Sequence, residues 1–338
     1  MEIKNKKTVS LVLGSGGARG LAHIGVIRWL EANDFRIESI SGCSIGALIG
    51  GIYAAGKLDI FEHWIRAITK VDIMTLLDIS WGKGGLIKGD KIINTLVELV
   101  GDQSIETLPI SFTAVAVDIN NEKEIWLNSG NLFDAIRASI SMPLFFTPFE
   151  HDGVVLIDGG VLNPIPIAPT FSDKTDVTIA VNLRGSVKRK NLPIEEIPEP
   201  ETRSSPLREK IGRFLQRLRE PEENDGDRDL GAYDIANQAF ETMQSAIARQ
   251  KLAAYPPDYV LEIPKNACGT LEFDRASEII DSGYEIAEKY LEEMARETKK
   301  EGESLRSLRL PLDEGETAEM FLPESTSPKP PPTIEMPD

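Results

Sequence analysis

The sequence predicts an α/β protein with a mostly parallel central sheet flanked by helices, and two patterns support this prediction. Thr8–Leu13 is short, largely apolar and followed by glycines, which is typical of a strand buried on both faces. Ile37–Ser41 is a second short strand candidate that ends at a glycine. Segments with helical character, Leu21–Ala32 and Ile45–Ala55, follow these two strands. The repeated order of strand, glycine turn and helix predicts a parallel sheet.

The same alternation continues along the chain. Asp90 suits the start of a helix that ends at Val100, and Pro143 lies just beyond the end of another. The further predicted strands are Ile110–Asp118, Val154–Ile157, Val177–Leu183 and Tyr259–Ile263, and the further predicted helices are Asp90–Val100, Leu132–Ser141, Tyr233–Gln250 and Asp274–Ala295. With 338 residues, of which 41% are hydrophobic, we expect one large domain over residues 8–300.

Two segments interrupt this pattern. Residues 188–230 are rich in charge and proline, which predicts a surface insertion. Residues 301–338 form an acidic tail, and its last 31 residues hold 7 of the chain's 21 prolines. Such a composition buries too little apolar surface to offset the entropy of ordering, so we expect this tail to be disordered.

The insertion contains a predicted basic amphipathic helix, Pro206–Arg219. Its apolar residues share one helical face, and its ionisable side chains sum to +4 in a chain of net charge −17. Such a helix indicates peripheral contact with an anionic membrane, although docking on its own domain or on a partner subunit is an open alternative. The apolar face comprises Leu207, Ile211, Phe214, Leu215 and Leu218.

Composition also limits the partners and the compartment. The net charge of −17 argues against a general nucleic-acid role, because phosphate binding favours positive charge. The longest apolar run, Ile45–Gly56, is about half the ~20 residues of a transmembrane helix. Two cysteines, Cys43 and Cys268, provide no disulfide framework, and we expect a reducing, cytoplasmic location.

The first chemical motif is a G-x-S-x-G sequence between a predicted strand and a predicted helix. It runs from Gly42 to Gly46, and its tight turn would expose Ser44. The following helix would direct its positive N-terminal end toward that serine. The motif therefore predicts a nucleophile, with a glycine-packed helix start as the alternative.

The second motif is a glycine-rich loop, Gly14–Gly20, after the first strand. Its backbone N–H groups could converge on one point and stabilise a phosphate or an oxyanion. A dinucleotide-binding loop needs glycines at steps 0, 2 and 5, but the fifth step from Gly14 is Arg19. The Gly-Lys-Ser/Thr of a P-loop is also absent. These departures favour an oxyanion hole over a nucleotide site; close helix packing is the third alternative.

The third motif is Asp158-Gly159-Gly160, directly after a predicted strand. A carboxylate at the carboxyl end of a strand in a parallel sheet points into the crevice where ligands bind. Taken alone, such a sequence is more often a turn than a catalytic base.

Together the three motifs resemble the patatin-like phospholipases, a family of serine acyl hydrolases. The resemblance covers about Thr8–Phe171, including Arg137–Pro143 and Asn163-Pro164, and is strongest to a bacterial, cytoplasmic subgroup. It implies a three-layer fold, a lipid or acyl-ester substrate, and neither a metal nor an organic cofactor.

The resemblance also implies a Ser–Asp dyad with Ser44 as nucleophile and Asp158 as base. The oxyanion hole would comprise the segment Gly16, Gly17, Ala18 and Arg19. Arg19 would either anchor the loop or bind an acidic lipid head group. Burial would have to raise the basicity of Asp158, since a free carboxylate with a pKa of about 3.9 is a poor base.

Three alternatives remain at this stage. None of the three histidines, His23, His63 and His151, lies after Asp158, so a Ser–Asp–His triad would have to use His151 with an earlier acid such as Asp118. A nucleotide- or phosphate-binding protein would use the glycine-rich loop. A scaffold without activity is disfavoured, because all three motifs are intact.

Overall fold

The computed structural model describes residues 6–76, 87–186 and 232–307. The strands are β1 Thr8–Leu13, β2 Arg36–Cys43, β3 Ser111–Asp118, β4 Lys123–Leu127, β5 Phe149–His151, β6 Val154–Asp158, β7 Val177–Gly185 and β8 Tyr259–Pro264. The helices are α1 Ala22–Ala32, α2 Ile45–Ala54, α3 Leu58–Ala67, α4 Lys70–Leu76, α5 Asp90–Val100, α6 Leu132–Ser139, α7 Ala232–Ala254 and α8 Ala276–Ser307.

The strands form one mixed sheet whose hydrogen-bonded path is β5-β6-β3-β2-β1-β7-β8, with β4 also paired to β3. Strands β6 and β2 pair with successive parts of the same edge of β3. Neighbours among β1, β2, β3, β7 and β8 run parallel, whereas β4, β5 and β6 pair antiparallel. The predicted fold class, a mostly parallel sheet flanked by helices, is confirmed. Strands β4 and β5 and helices α3 and α4 were not predicted.

Apolar side chains cover both faces of the sheet. Along β1, Leu11 and Leu13 belong to a large core shared with α1, α2 and α8. Val12, which points to the opposite face, packs with Ala180 of β7 and Ala248 of α7. Successive side chains of a strand alternate between faces, so this double burial explains the largely apolar composition of β1.

Helices α1 and α8 cross in close contact through glycines. A Cβ atom at Gly25 would lie 1.9 Å from the carbonyl oxygen of Ile280, and one at Gly283 would lie 2.1 Å from that of Ala22. This contact fixes the start of α1, and therefore the loop before it, against the C-terminal helix.

The C-terminal helix extends beyond the predicted end at Ala295 and continues to Ser307, so residues 301–307 of the predicted tail are helical. The predicted insertion, 188–230, with its helix Pro206–Arg219, lies outside the described residues, as does the tail from residue 308. Within the described ranges, no helix combines the length and apolarity needed to cross a membrane.

Strands β2 and β6 meet end to end along one edge of β3. On β3, Val115 pairs with Cys43 of β2, and the next residue, Ala116, pairs with Asp158 of β6. Strand β4 pairs with both of these β3 residues, so it occupies the other edge. The end of β6 therefore lies beside the end of β2, and Ser44 follows that end directly.

Candidate active site

Ser44 lies in a strained turn between β2 and α2. Its backbone has φ 57° and ψ −123°, a region that side chains other than glycine rarely adopt. The turn is held from outside, because the Ser44 N–H donates to Ser139 Oγ at 2.9 Å and that hydroxyl donates to the Val115 carbonyl at 2.7 Å. A Cβ at Gly46 would lie only 2.1 Å from the Leu13 carbonyl oxygen, so a side chain there would displace the helix.

Asp158 is buried, with 1% of its surface exposed, and its carboxylate faces Ser44. It accepts a hydrogen bond from the Gly160 N–H at 2.7 Å, and the Cys43 thiol lies 3.8 Å away. The Ser44 hydroxyl is near enough to favour the ionised carboxylate as a hydrogen-bond donor. Burial raises the pKa of Asp158 to about 6, although these hydrogen bonds and the charge of Arg184 oppose the increase. The carboxylate is therefore a stronger base than an exposed aspartate.

The glycine-rich loop offers fewer free amides than predicted. The Ala18 N–H donates to the Thr270 carbonyl at 2.9 Å, so this amide is not available to an oxyanion. In the described part of the chain, the N–H groups of Gly16 and Gly17 donate to no backbone carbonyl. The candidate oxyanion donors are accordingly these two glycines.

Arg19 anchors the loop. Its buried guanidinium donates to the Gly16 carbonyl at 3.1 Å, to the Lys265 carbonyl at 2.8 Å and to Glu241 at 2.9 Å. All three nitrogens of this side chain are therefore directed at protein groups, and the loop is tied to α7 and to the segment after β8.

His23 supports the same loop from beneath. Its Nε2 lies 2.9 Å from the Gly14 carbonyl oxygen, which requires the proton on that nitrogen. Burial lowers the pKa of His23 to about 4, so the ring is neutral at physiological pH.

The alternative triad is not assembled. His151 lies at the far end of the β5–β6 hairpin, where it pairs with Val154, about 13 Å of strand away from Asp158. Its side chain is 48% exposed. The Asp118 carboxylate accepts from the Asn121 backbone and side chain. His63 is exposed on α3.

The structure adds residues to the site that were not predicted. Arg184, near the carboxyl end of β7, donates to Ser15 Oγ at 3.1 Å and hydrogen-bonds the Gln244 side chain of α7. Its position at the carboxyl end of a parallel strand is the signal that could have identified it. Gln244 had no such signal, because it lies within a helix beyond the insertion.

A separate cavity of about 880 Å³ opens beside Arg36, Ile37 and Tyr53. Arg36 and Ile37 lie at the amino end of β2, and Ile37 is some 23 Å of extended chain from Ser44. We therefore do not assign this cavity to the dyad. Across the described residues, no group of three or more His, Cys, Asp or Glu side chains could hold a metal ion.

Comparison with known proteins matches residues 11–171 to the patatin-like phospholipase family model. An NTE family protein of Mycobacterium tuberculosis is 38% identical over 328 residues, covering 84% of this chain and 91% of that protein. Lysophospholipase NTE1 of Pyricularia oryzae is 28% identical, covering 86% of this chain but 19% of that protein. Patatin-like phospholipase domain-containing protein 6 of Mus musculus is 31% identical, covering 52% of this chain and 13% of that protein.

Proposed function

The chain belongs to the patatin-like phospholipase family, and on that premise we propose that it hydrolyses lipid acyl esters through Ser44 and Asp158. Family membership supports a lipid ester hydrolase. One observation carries the finer assignment: Ser44 lies beside the buried carboxylate of Asp158, whose pKa is raised to about 6.

The proposed reaction has two acyl transfers. Asp158 takes the hydroxyl proton as Ser44 Oγ attacks the ester carbonyl, and the Gly16 and Gly17 N–H groups stabilise the oxyanion. Collapse of the intermediate breaks the ester C–O bond, and Asp158 returns the proton to the leaving alcohol. Water then attacks the acyl-enzyme with Asp158 again as base, which releases the fatty acid and restores Ser44.

The site geometry suits the demands of these steps. An oxyanion donor contributes roughly 3 to 4 kcal/mol in comparable sites, and N–H groups fixed by a tied loop need no reorganisation. The loop is tied by Arg19, which contacts Glu241 and the Lys265 carbonyl. Proton and acyl transfers suffice for every step, so the proposal invokes no metal or cofactor.

A fluorophosphonate probe tests this proposal, because it phosphonylates an activated serine. We expect labelling of Ser44, mapped by mass spectrometry, and fatty-acid release from a panel of lysophospholipids, phospholipids and p-nitrophenyl esters. A folded protein that takes no label and cleaves nothing on the panel would contradict the proposal. A thermal shift with nucleotides but not with acyl esters would favour the nucleotide-binding alternative.

We further propose peripheral contact with anionic membranes through Pro206–Arg219, on its sequence pattern alone. Reversing Arg213, Arg217 and Arg219 to Glu should remove most co-sedimentation with phosphatidylglycerol vesicles at low salt. Each basic residue contributes about 1 kcal/mol near an anionic leaflet, and salt weakens the attraction. Hydrolysis of a water-soluble ester should be unchanged.

A matched variant controls for net charge. Lys70, Lys91 and Lys123 are exposed outside this segment, and their reversal to Glu changes the charge equally. This control should sediment like wild type. Equal sedimentation of the arginine variant and wild type would instead support docking of the helix on protein.

A further inference from the structure

Arg184 lies behind the dyad in a cluster organised around Gly160. A Cβ atom at Gly160 would lie 3.0 Å from Asp158 Oδ1, 3.0 Å from Ser15 Oγ and 2.5 Å from Gln244 Nε2. Three side chains from separate elements therefore meet at one backbone position. Arg184 hydrogen-bonds two of them, Ser15 and Gln244.

This cluster is buried. Ser15 is 3% exposed, Asp158 1% and Gln244 5%. Arg184 Nε is also buried, and it has no hydrogen-bond partner in the described part of the protein. A guanidinium charge in such surroundings is poorly screened by water, so it acts strongly on nearby charges.

The charged groups around this position come from several elements. Arg19 lies within the glycine-rich loop and pairs with Glu241 of α7. Cys43 of β2 and Asp158 of β6 both interact electrostatically with Arg184, and Glu124 of β4 interacts with Cys43. Glu124 itself pairs with Lys251 at 2.6 Å. Arg19 and Glu241 act on Arg184 with opposite signs. The positive charge of Arg184 in turn favours the ionised form of Asp158.

We propose that Arg184 is a positioning residue of the dyad, which holds Ser15 and Gln244 behind Asp158 and keeps that carboxylate ionised in the resting enzyme. The inference rests on the proposed function. Burial lowers the pKa of Arg184 to about 10, so the guanidinium is still protonated at neutral pH. Its positive charge lowers the pKa of Asp158 against the larger effect of burial.

The charge of Arg184 would increase the fraction of enzyme molecules in which Asp158 is ionised at neutral pH. A base with a pKa near 6 is about nine-tenths ionised at pH 7, and a rise of one unit would leave about half ionised. Loss of the Arg184 charge should therefore move the acid limb of the pH profile upward.

The test is the pH dependence of kcat/KM between pH 5 and 9 on a soluble p-nitrophenyl ester. Arg184→Gln should raise the midpoint of the acid limb by about one pH unit and lower kcat at its plateau about tenfold or more. Arg184→Lys keeps the positive charge but loses the planar guanidinium that donates to two side chains at once. Its acid limb should therefore stay within about 0.3 pH unit of wild type while kcat falls. Ser15→Ala should lower kcat a few-fold without moving the limb.

Arg296→Gln is the matched control. This arginine is 69% exposed on α8 and pairs with Glu292 on the surface, so its profile should equal that of wild type. An acid limb that stays in place in a folded Arg184→Gln variant overturns the proposal. If Arg184→Gln does not fold, the test rests on Arg184→Lys. Because lysine retains the positive charge, an acid limb moved by about one pH unit in that variant would also overturn the proposal.

Ser44→Ala, assayed in parallel, distinguishes failure of the proposed function from failure of the proposed role of Arg184. Activity that survives in Ser44→Ala contradicts the proposed function itself. An inactive Ser44→Ala together with an unmoved limb in Arg184→Gln contradicts only the role of Arg184.

Discussion

Replacing Ser44 with alanine is expected to lower kcat for ester hydrolysis by at least about 10⁴-fold while the protein stays folded. Loss of a nucleophile removes the covalent route, and only the oxyanion donors and substrate binding would remain. The turn itself does not depend on the hydroxyl, because the Ser44 N–H bonds Ser139 and the flanking glycines permit the close packing. Kinetics on a p-nitrophenyl ester and a thermal melt measure the two parts.

Ser111→Ala is a matched control for this variant. Ser111 is exposed at the start of β3, at the opposite end of that strand from Asp158, and its variant should keep wild-type activity. Retention of more than about a tenth of the activity in Ser44→Ala would remove Ser44 as the nucleophile.

The predictions that agree best with the structure came from local sequence patterns. Strand β1, Thr8–Leu13, and helix α5, Asp90–Val100, have the predicted bounds, because apolar runs and helix-starting residues are local signals. The three-residue strand β5, Phe149–His151, had no comparable signal, since its partner in β6 alone defines it. The family resemblance is confirmed by the comparisons.

The candidate site was predictable only in part, because motifs identify residues and not their long-range partners. Ser44 follows β2 directly and Asp158 is the last residue of β6. Their proximity depends on β2 and β6 pairing with successive parts of one edge of β3. The Ala18 amide is taken by Thr270, far away in the sequence, and no pattern in the loop indicates this. Likewise, Arg184 and Gln244 come from β7 and α7, beyond the region of the resemblance.

Asp158→Asn should be nearly as inactive as Ser44→Ala, whereas His151→Ala should keep most activity. An amide cannot take the serine proton, but its carbonyl oxygen can still accept from the Gly160 N–H. His151 ends β5, at the end of the β5–β6 hairpin away from Asp158. In the described part of the chain, its exposed side chain contacts only Asp152 and the Phe149 ring. If His151→Ala were the inactive variant and Asp158→Asn the active one, the triad would replace the dyad.

The pH dependence of kcat/KM in the wild-type enzyme should reflect the ionisation of Asp158. Because Asp158 must be ionised to act as base and its pKa is raised to about 6, kcat/KM should decline as the pH falls through that value. An acid limb near pH 4 would indicate an ordinary, exposed carboxylate instead.

Asp158→Asn should also make the folded protein more stable than wild type at alkaline pH. An inactive variant with a higher Tm has lost the chemistry and not the structure. Burial raises the pKa of Asp158 from 3.8 to about 6, so the folded protein favours the protonated carboxyl. The protonated carboxyl therefore contributes fully to the free energy of unfolding below the unfolded-state pKa. This contribution is lost as the pH rises through about 6. The ionised carboxylate then costs the wild type at most about 3 kcal/mol at pH 8, a cost that a neutral asparagine avoids. Thermal melts should give Asp158→Asn a higher Tm than wild type at pH 8 and little or no advantage at pH 4. A lower Tm at pH 8 would mean that its hydrogen bonds to Ser44 and Gly160 outweigh the burial of its charge.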